Sequence, residues 1–365
     1  MRKFIAIMAL GVLTVTLWGC GLPQGNSGDA NNNKEETSVE AEETVEEATS
    51  VSYLTGLPVP PSVQSARPLA VMLNNIKEGC PQSGTADASI IYEAPVEGRI
   101  TRLMGLFEDY GDMEKIGSIR SSRDYFVYFA LEYDAIYAHF GQATPYVGEL
   151  LNSDRVANIS GAVAGIDDPA THAFFRSTDR KAPHNVYLTG EGVQKDIEKF
   201  QYRTYLRSGY RPKFVFAENN MEDGQEATVL YPGGKESNLA NGFSHTQSRF
   251  EYHPEDGLYY RFQYGAEHID ELTGEQLAFT NVIFQYCHGE VRDENDYLAF
   301  GCHGDDGHKV QVFTRGKMTE GTWRRTGNDD AAEYLDKDGN PIPINPGKTW
   351  ICIIWAEYGD DVVIE

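Results

Sequence analysis

The chain has 365 residues, 31 basic and 55 acidic side chains, a net charge of −24 and 41% hydrophobic residues. Such acidity argues against a nucleic-acid partner, because phosphate backbones call for a basic surface. Beyond the N-terminal segments, roughly 310 residues remain, room for two domains with sizeable cores.

Arg2 and Lys3 precede an apolar stretch from Phe4 to Trp18, too short to cross a bilayer and right for a signal-peptide core. It ends in Leu17-Trp18-Gly19-Cys20, which is similar to a bacterial lipoprotein cleavage box apart from the bulky Trp18. Residues 1–20 are read as a lipoprotein signal peptide whose Cys20 becomes the lipidated first residue. Residues 21–52 are rich in Asn, Ser, Thr, Ala and Glu. With so little to bury, they cannot offset their ordering entropy and form a disordered acidic tether. No later apolar run reaches membrane-spanning length, so the lipid anchor is the expected membrane attachment of an extracytoplasmic protein.

Residues 53–212 are expected to form an N-terminal mixed α/β-sheet domain and 213–365 a smaller β-rich C-terminal domain, an α+β chain overall. Leu69 to Leu73 is a continuous apolar run, the mark of a buried strand, and Ser89 to Tyr92 and Ile100 to Phe107 continue as strands. Asp124 to Tyr133 has helical spacing, with Phe126, Phe129, Ala130 and Tyr133 on one face. A strand over Ala135 to Phe140, a short helix over Pro145 to Leu151 and a helix over Gly192 to Tyr202 follow. Past Pro212 the pattern becomes strands: Thr228 to Tyr231, Gln247 to Tyr252, Tyr259 to Tyr264, Asn281 to Tyr286, Val310 to Thr314 and Trp350 to Trp355. His253 to Gly257 reads as a turn between two aromatic strands.

Cys80, Cys287, Cys302 and Cys352 are too few for a disulfide framework. Cys287-His288, Cys302-His303 and His308 contain zinc-type ligands without finger spacing, so a Cys287–Cys302 bridge or inert thiols are preferred and no metal or cofactor is expected. No nucleophile elbow, phosphate loop or zincin motif occurs.

Chemistry-bearing residues concentrate between Glu93 and Asn185. Arg102, Arg120, Arg123 and Arg180 are placed as ionic contacts to an anion, since guanidiniums match phosphate and carboxylate geometry. Arg120 and Arg123 bracket Ser121-Ser122 just before a helix, whose start would add N–H donors. Asn74, His184 and Asn185 would orient the ligand, with His139 a further candidate at a strand end. Glu93 and Glu97 are the acid–base candidates, with His184 assisting, should the protein be an enzyme. The same carboxylates could instead tie down arginines in a network.

The strings SGTADASIIYE before Ala94, VEGRITRL, IGSIRSSRDYF, YDAIYAHFG and RKAPHNVY, with Gly321-Thr322-Trp323 and Pro346-Gly347-Lys348-Thr349-Trp350, resemble the YerB-like lipoproteins of Gram-positive bacteria. That family joins an N-terminal and a C-terminal domain of unknown function. It commonly has Pro where Ser118 stands. The short run Gly117 to Ser121 is also similar to the arginine-bearing segment of envelope phosphotransferases that handle polyprenyl-linked glycopolymers.

The leading expectation is a membrane-tethered envelope protein whose arginine-rich cleft binds an anionic wall polymer, its precursor or an envelope protein. An envelope enzyme of hydrolase or phosphotransferase type, and a structural module with all arginines internally paired, are the alternatives.

Overall fold

The computed structural model of the protein describes residues 50–365 except 145, 164–165, 219–220 and 302–305. The signal peptide, Cys20, residues 21–49 of the tether, Cys302 and His303 lie outside the described residues. Among the described residues no helix is long and apolar enough to cross a membrane.

An eleven-stranded sheet organises the molecule. Its middle runs in the order Asn281–Cys287, Thr349–Trp355, Ile90–Val96, Ile100–Phe107, Leu69–Leu73, Ile136–His139, Ala157–Ser160. Strands from before and after Pro212 therefore lie side by side in this sheet. Strand Thr349–Trp355 pairs in parallel with Ile90–Val96, with Thr349 opposite Ile90 and Cys352 opposite Glu93. Strands from the two sequence regions are thus neighbours in one ladder. The chain is mostly β, and helices are few among the described residues.

The central strands are apolar throughout because both sides of the sheet are covered. On one face Ala70, Met72, Tyr92, Met104, Ile351 and Ile353 pack with helix Asp124–Leu131, where Phe129 stacks on Tyr92 with ring centroids 4.7 Å apart. On the other face Leu69, Val71 and Leu73, with Trp350 and Cys352 further along, belong to one apolar cluster with Val193 and Ile197 of helix Gly190–Phe200. That helix is capped by Thr189, whose hydroxyl accepts from the Gly192 amide at 3.1 Å, an interaction that stabilises a helix by about 1 kcal/mol. The same face is covered further along by Phe250, Tyr259 and Phe279 of a six-stranded sheet. In this second sheet Arg249–His253 and Leu258–Gln263 form the hairpin expected around the His253 to Gly257 turn.

Candidate functional site

Leu69–Leu73 and Ile136–His139 are parallel neighbours, so their carboxyl ends open onto the same edge, where loops carrying function tend to gather. The segment Ser118–Ser122 is laid across this edge. The amide of Asn74 donates to the Ser118 carbonyl at 2.8 Å, that of Arg120 to Met72 at 3.1 Å, and that of Ile119 to Val186 at 2.8 Å. The amide of Phe140 donates to Arg120 at 3.1 Å and that of Ser122 to Gly141 at 2.9 Å. Gly117 makes this path accessible: its φ is +151°, and a Cβ there would sit 2.8 Å from a Tyr187 ring carbon and 2.9 Å from the Val186 carbonyl oxygen.

The segment brings several of the expected residues together. His184 Nδ1 lies 3.0 Å from the Asn74 amide nitrogen. That nitrogen can only donate, so His184 receives the bond on Nδ1 and keeps its proton on Nε2. Burial and the nearby Arg120 charge lower the His184 pKa, which favours this neutral form. The Asn74 amide also donates to the Ser118 hydroxyl at 3.3 Å.

The arginines differ sharply in their surroundings. Arg123 is buried and forms a bidentate pair with Glu97, its Nε donating to Oε2 at 2.9 Å. It also donates to the Ser122 carbonyl and lies over the Tyr297 ring. Burial opposes the charge on Glu97, but bonding from Arg123 holds its carboxyl below the usual range. Arg102 donates to the Ser121 carbonyl at 2.9 Å, and burial together with the Arg123 charge pushes its pKa down to about 9. Arg180 donates to the carbonyls of Gly79 and Pro81 and is 3.3 Å from Glu271.

Arg120 stands apart. It has no carboxylate partner among the described residues, its nearest acceptor is the Pro183 carbonyl at 3.5 Å, and its buried Nε has no partner. Burial and the Arg123 charge lower its pKa. A guanidinium in this position retains unused donor capacity.

Other expected residues serve the fold. Glu93 is fully buried, and Asn75, Thr101, Ser248, Arg261 and Trp350 all donate to its carboxylate. It shares no solvent-reachable cleft with His184, so the network role is the one its surroundings support. His139 is fully buried, with its ring nitrogens 2.7 Å from the Gly141 carbonyl and 2.9 Å from Asn158. Burial lowers its pKa to about 4, and it acts as a neutral structural tie. The Asn185 side chain is used by Arg176 and the Ser177 carbonyl. Helix Asp124–Leu131 begins without a side-chain cap, and Asp124 instead pairs with Arg292, so the helix start is not an open anion seat. Cys287 is buried in a strand and His288 pairs with Glu357. No metal-holding cluster occurs among the described residues.

Glu271 and Arg261 were not singled out from sequence. Strand Leu258–Gln263 alternates half-buried and buried residues, with Tyr259, Arg261 and Gln263 inward. An arginine in phase with the inward Tyr259 is a legible sign of a buried ion pair.

Residues 54–203 match the N-terminal domain, and residues 237–351 the C-terminal domain, of the protein of unknown function DUF3048. "Putative lipoprotein YerB" of Bacillus subtilis (strain 168) is 28% identical over 301 residues, 82% of this chain and 85% of that protein. The crystal structure of the YerB protein from Bacillus subtilis matches with a TM-score of 0.73 at 28% identity, covering 87% of this chain and 99% of that one.

Proposed function

The chain belongs to the DUF3048 family, carrying both of its domains in order, and from that premise we propose that it is a lipid-anchored, extracytoplasmic envelope protein that binds an anionic ligand at Arg120. The lipoprotein name of its Bacillus subtilis relative supports the location, as does the cleavage box ending at Cys20. The ligand would be a phosphate or carboxylate on a wall polymer, its precursor or an envelope protein.

The carrying observation is the uncompensated guanidinium of Arg120 beside His184. Arg120 offers only donors, neutral His184 offers its Nε2 proton, and Arg102 adds positive potential nearby, while the Arg123 charge is offset by Glu97. A donor-rich, partly desolvated cationic spot favours an anion even in a protein of net charge −24. The enzymatic alternative has less support, since Glu93 is sealed in the core and Glu97 is held by Arg123. The structural-module alternative accounts for Arg102, Arg123 and Arg180 but leaves Arg120 without a role.

The test is calorimetric titration of the full chain with inorganic phosphate and with a glycerol-phosphate polymer at low salt. Arg120→Ala should weaken binding at least about tenfold, the loss of one charge-assisted contact. Binding that survives this substitution, or that is absent from the unaltered protein with both probes, overturns the reading.

A further inference from the structure

A hollow of about 170 Å³ is lined by Glu97, Arg99, Val291, Asp296, Trp355 and Tyr358 among others. We infer that it binds one ring of a neutral saccharide, independently of the anion site at Arg120.

The first reason is its aromatic wall. Trp355 and Tyr358 meet edge to face with centroids 5.0 Å apart, and Phe300 braces Trp355 from 5.7 Å. Trp323 and Trp350 are fully buried, whereas Trp355 keeps part of its surface open. Gly289 makes room for this indole, since a Cβ there would lie 2.6 Å from Trp355 Nε1. Aromatic rings that are half open and rigidly braced offer a flat surface to the C–H face of a sugar, at little cost in side-chain entropy.

The second reason is charge. Glu97 is neutralised by Arg123. Arg99 and Asp296 are exposed, line the same hollow, and have no side-chain hydrogen bond or ion pair among the described residues, even with each other. The Tyr358 hydroxyl is likewise unengaged. The hollow thus presents a donor-only group, an acceptor-only group and a hydroxyl that can be either, its two unpaired charges opposite in sign. Ring hydroxyls satisfy all three at once. An anion would face Asp296, and a cation would face Arg99. An apolar surface with a few convergent polar groups is the general form of a small-ligand site.

The experiment is isothermal titration of the full chain with the neutral β-1,4-linked tetrasaccharide of N-acetylglucosamine. Saturable binding is expected, weakened at least about tenfold in Asp296→Asn and in Arg99→Asn, an exchange suited to the positive φ of 58° at that position. Both positions are exposed, so near-ultraviolet circular dichroism should remain unchanged. Arg120→Ala should bind the sugar as the unaltered protein does, which separates this site from the anion site. Absence of saturable heat at millimolar sugar, or equal affinity in both surface variants, overturns the proposal.

Discussion

Arg120 has no direct carboxylate partner among the described residues, and Arg123, its neighbour, is locked to Glu97. The two residues should therefore respond in opposite ways to truncation. Arg120→Ala removes a like-charge neighbour and an unpartnered buried Nε, so its melting temperature should equal or exceed that of the unaltered protein while anion binding falls. Arg123→Ala leaves the half-buried Glu97 carboxylate only the longer, 4.0 Å contact with Arg102 and should cost about 2 kcal/mol, measured by urea denaturation. A matching loss of stability in both variants would make Arg120 a structural residue. His139 provides a pH test. Its folded pKa of about 4 lies below the ordinary histidine value of 6.5, so the unfolded chain binds its proton first as pH falls. The stability it contributes is complete above about pH 6.5 and is lost between there and pH 4, on the order of 3 kcal/mol. Denaturation curves of His139→Gln should show a shallower fall over that window than those of the unaltered chain.

The elements found from sequence are those buried on both faces or repeated at helical spacing. Leu69–Leu73 and Ile100–Phe107 occur with the expected bounds, and Asp124–Leu131 stops two residues short of Tyr133. Strand Lys317–Arg324 gave no such signal, because only Met318 and Trp323 are buried along it and the remaining positions are polar or exposed. The decisive element for the candidate site is neither a helix nor a strand but the segment after Gly117. Its course depends on a glycine at φ +151°. Gly117→Ala should displace Ser118 from Asn74 and weaken anion binding together with stability. A calorimetric titration paired with a thermal melt would register both effects, and a variant unchanged in both would show that the segment tolerates a Cβ.

At the scale of the whole molecule, charges buried between the two sequence regions hold the central sheet together. Glu93 meets Arg261, which lies between Phe250 and Trp350 with its guanidinium 4.9 Å from each ring. On the other face Glu132 pairs with Lys213 and lies 3.5 Å from Arg325, and all three side chains are fully buried. Removing one partner from such a pair costs roughly 3–5 kcal/mol, whereas replacing both with apolar residues of similar size restores much of it. Glu93→Ala should thus be severely destabilising, and Glu93→Met with Arg261→Met less so, a double-mutant cycle readable by chemical denaturation. Residues 50–212 alone would lose the strand Thr349–Trp355 and expose the apolar edge Ile90–Val96. That fragment should bind hydrophobic dye and aggregate, and co-expression with residues 213–365 should rescue it. A soluble, cooperatively melting fragment would contradict the shared-core account. Sequence alone determined the acidic character of the chain, its family, its doubly buried strands and the concentration of arginines between Glu93 and Asn185, because composition, motifs and short-range periodicity record these directly. Tertiary structure alone decided which arginine is left uncompensated, that Glu93 belongs to Arg261 and that the two regions share one sheet, because ion pairing and parallel strand contacts join residues up to more than 250 positions apart and leave no local pattern.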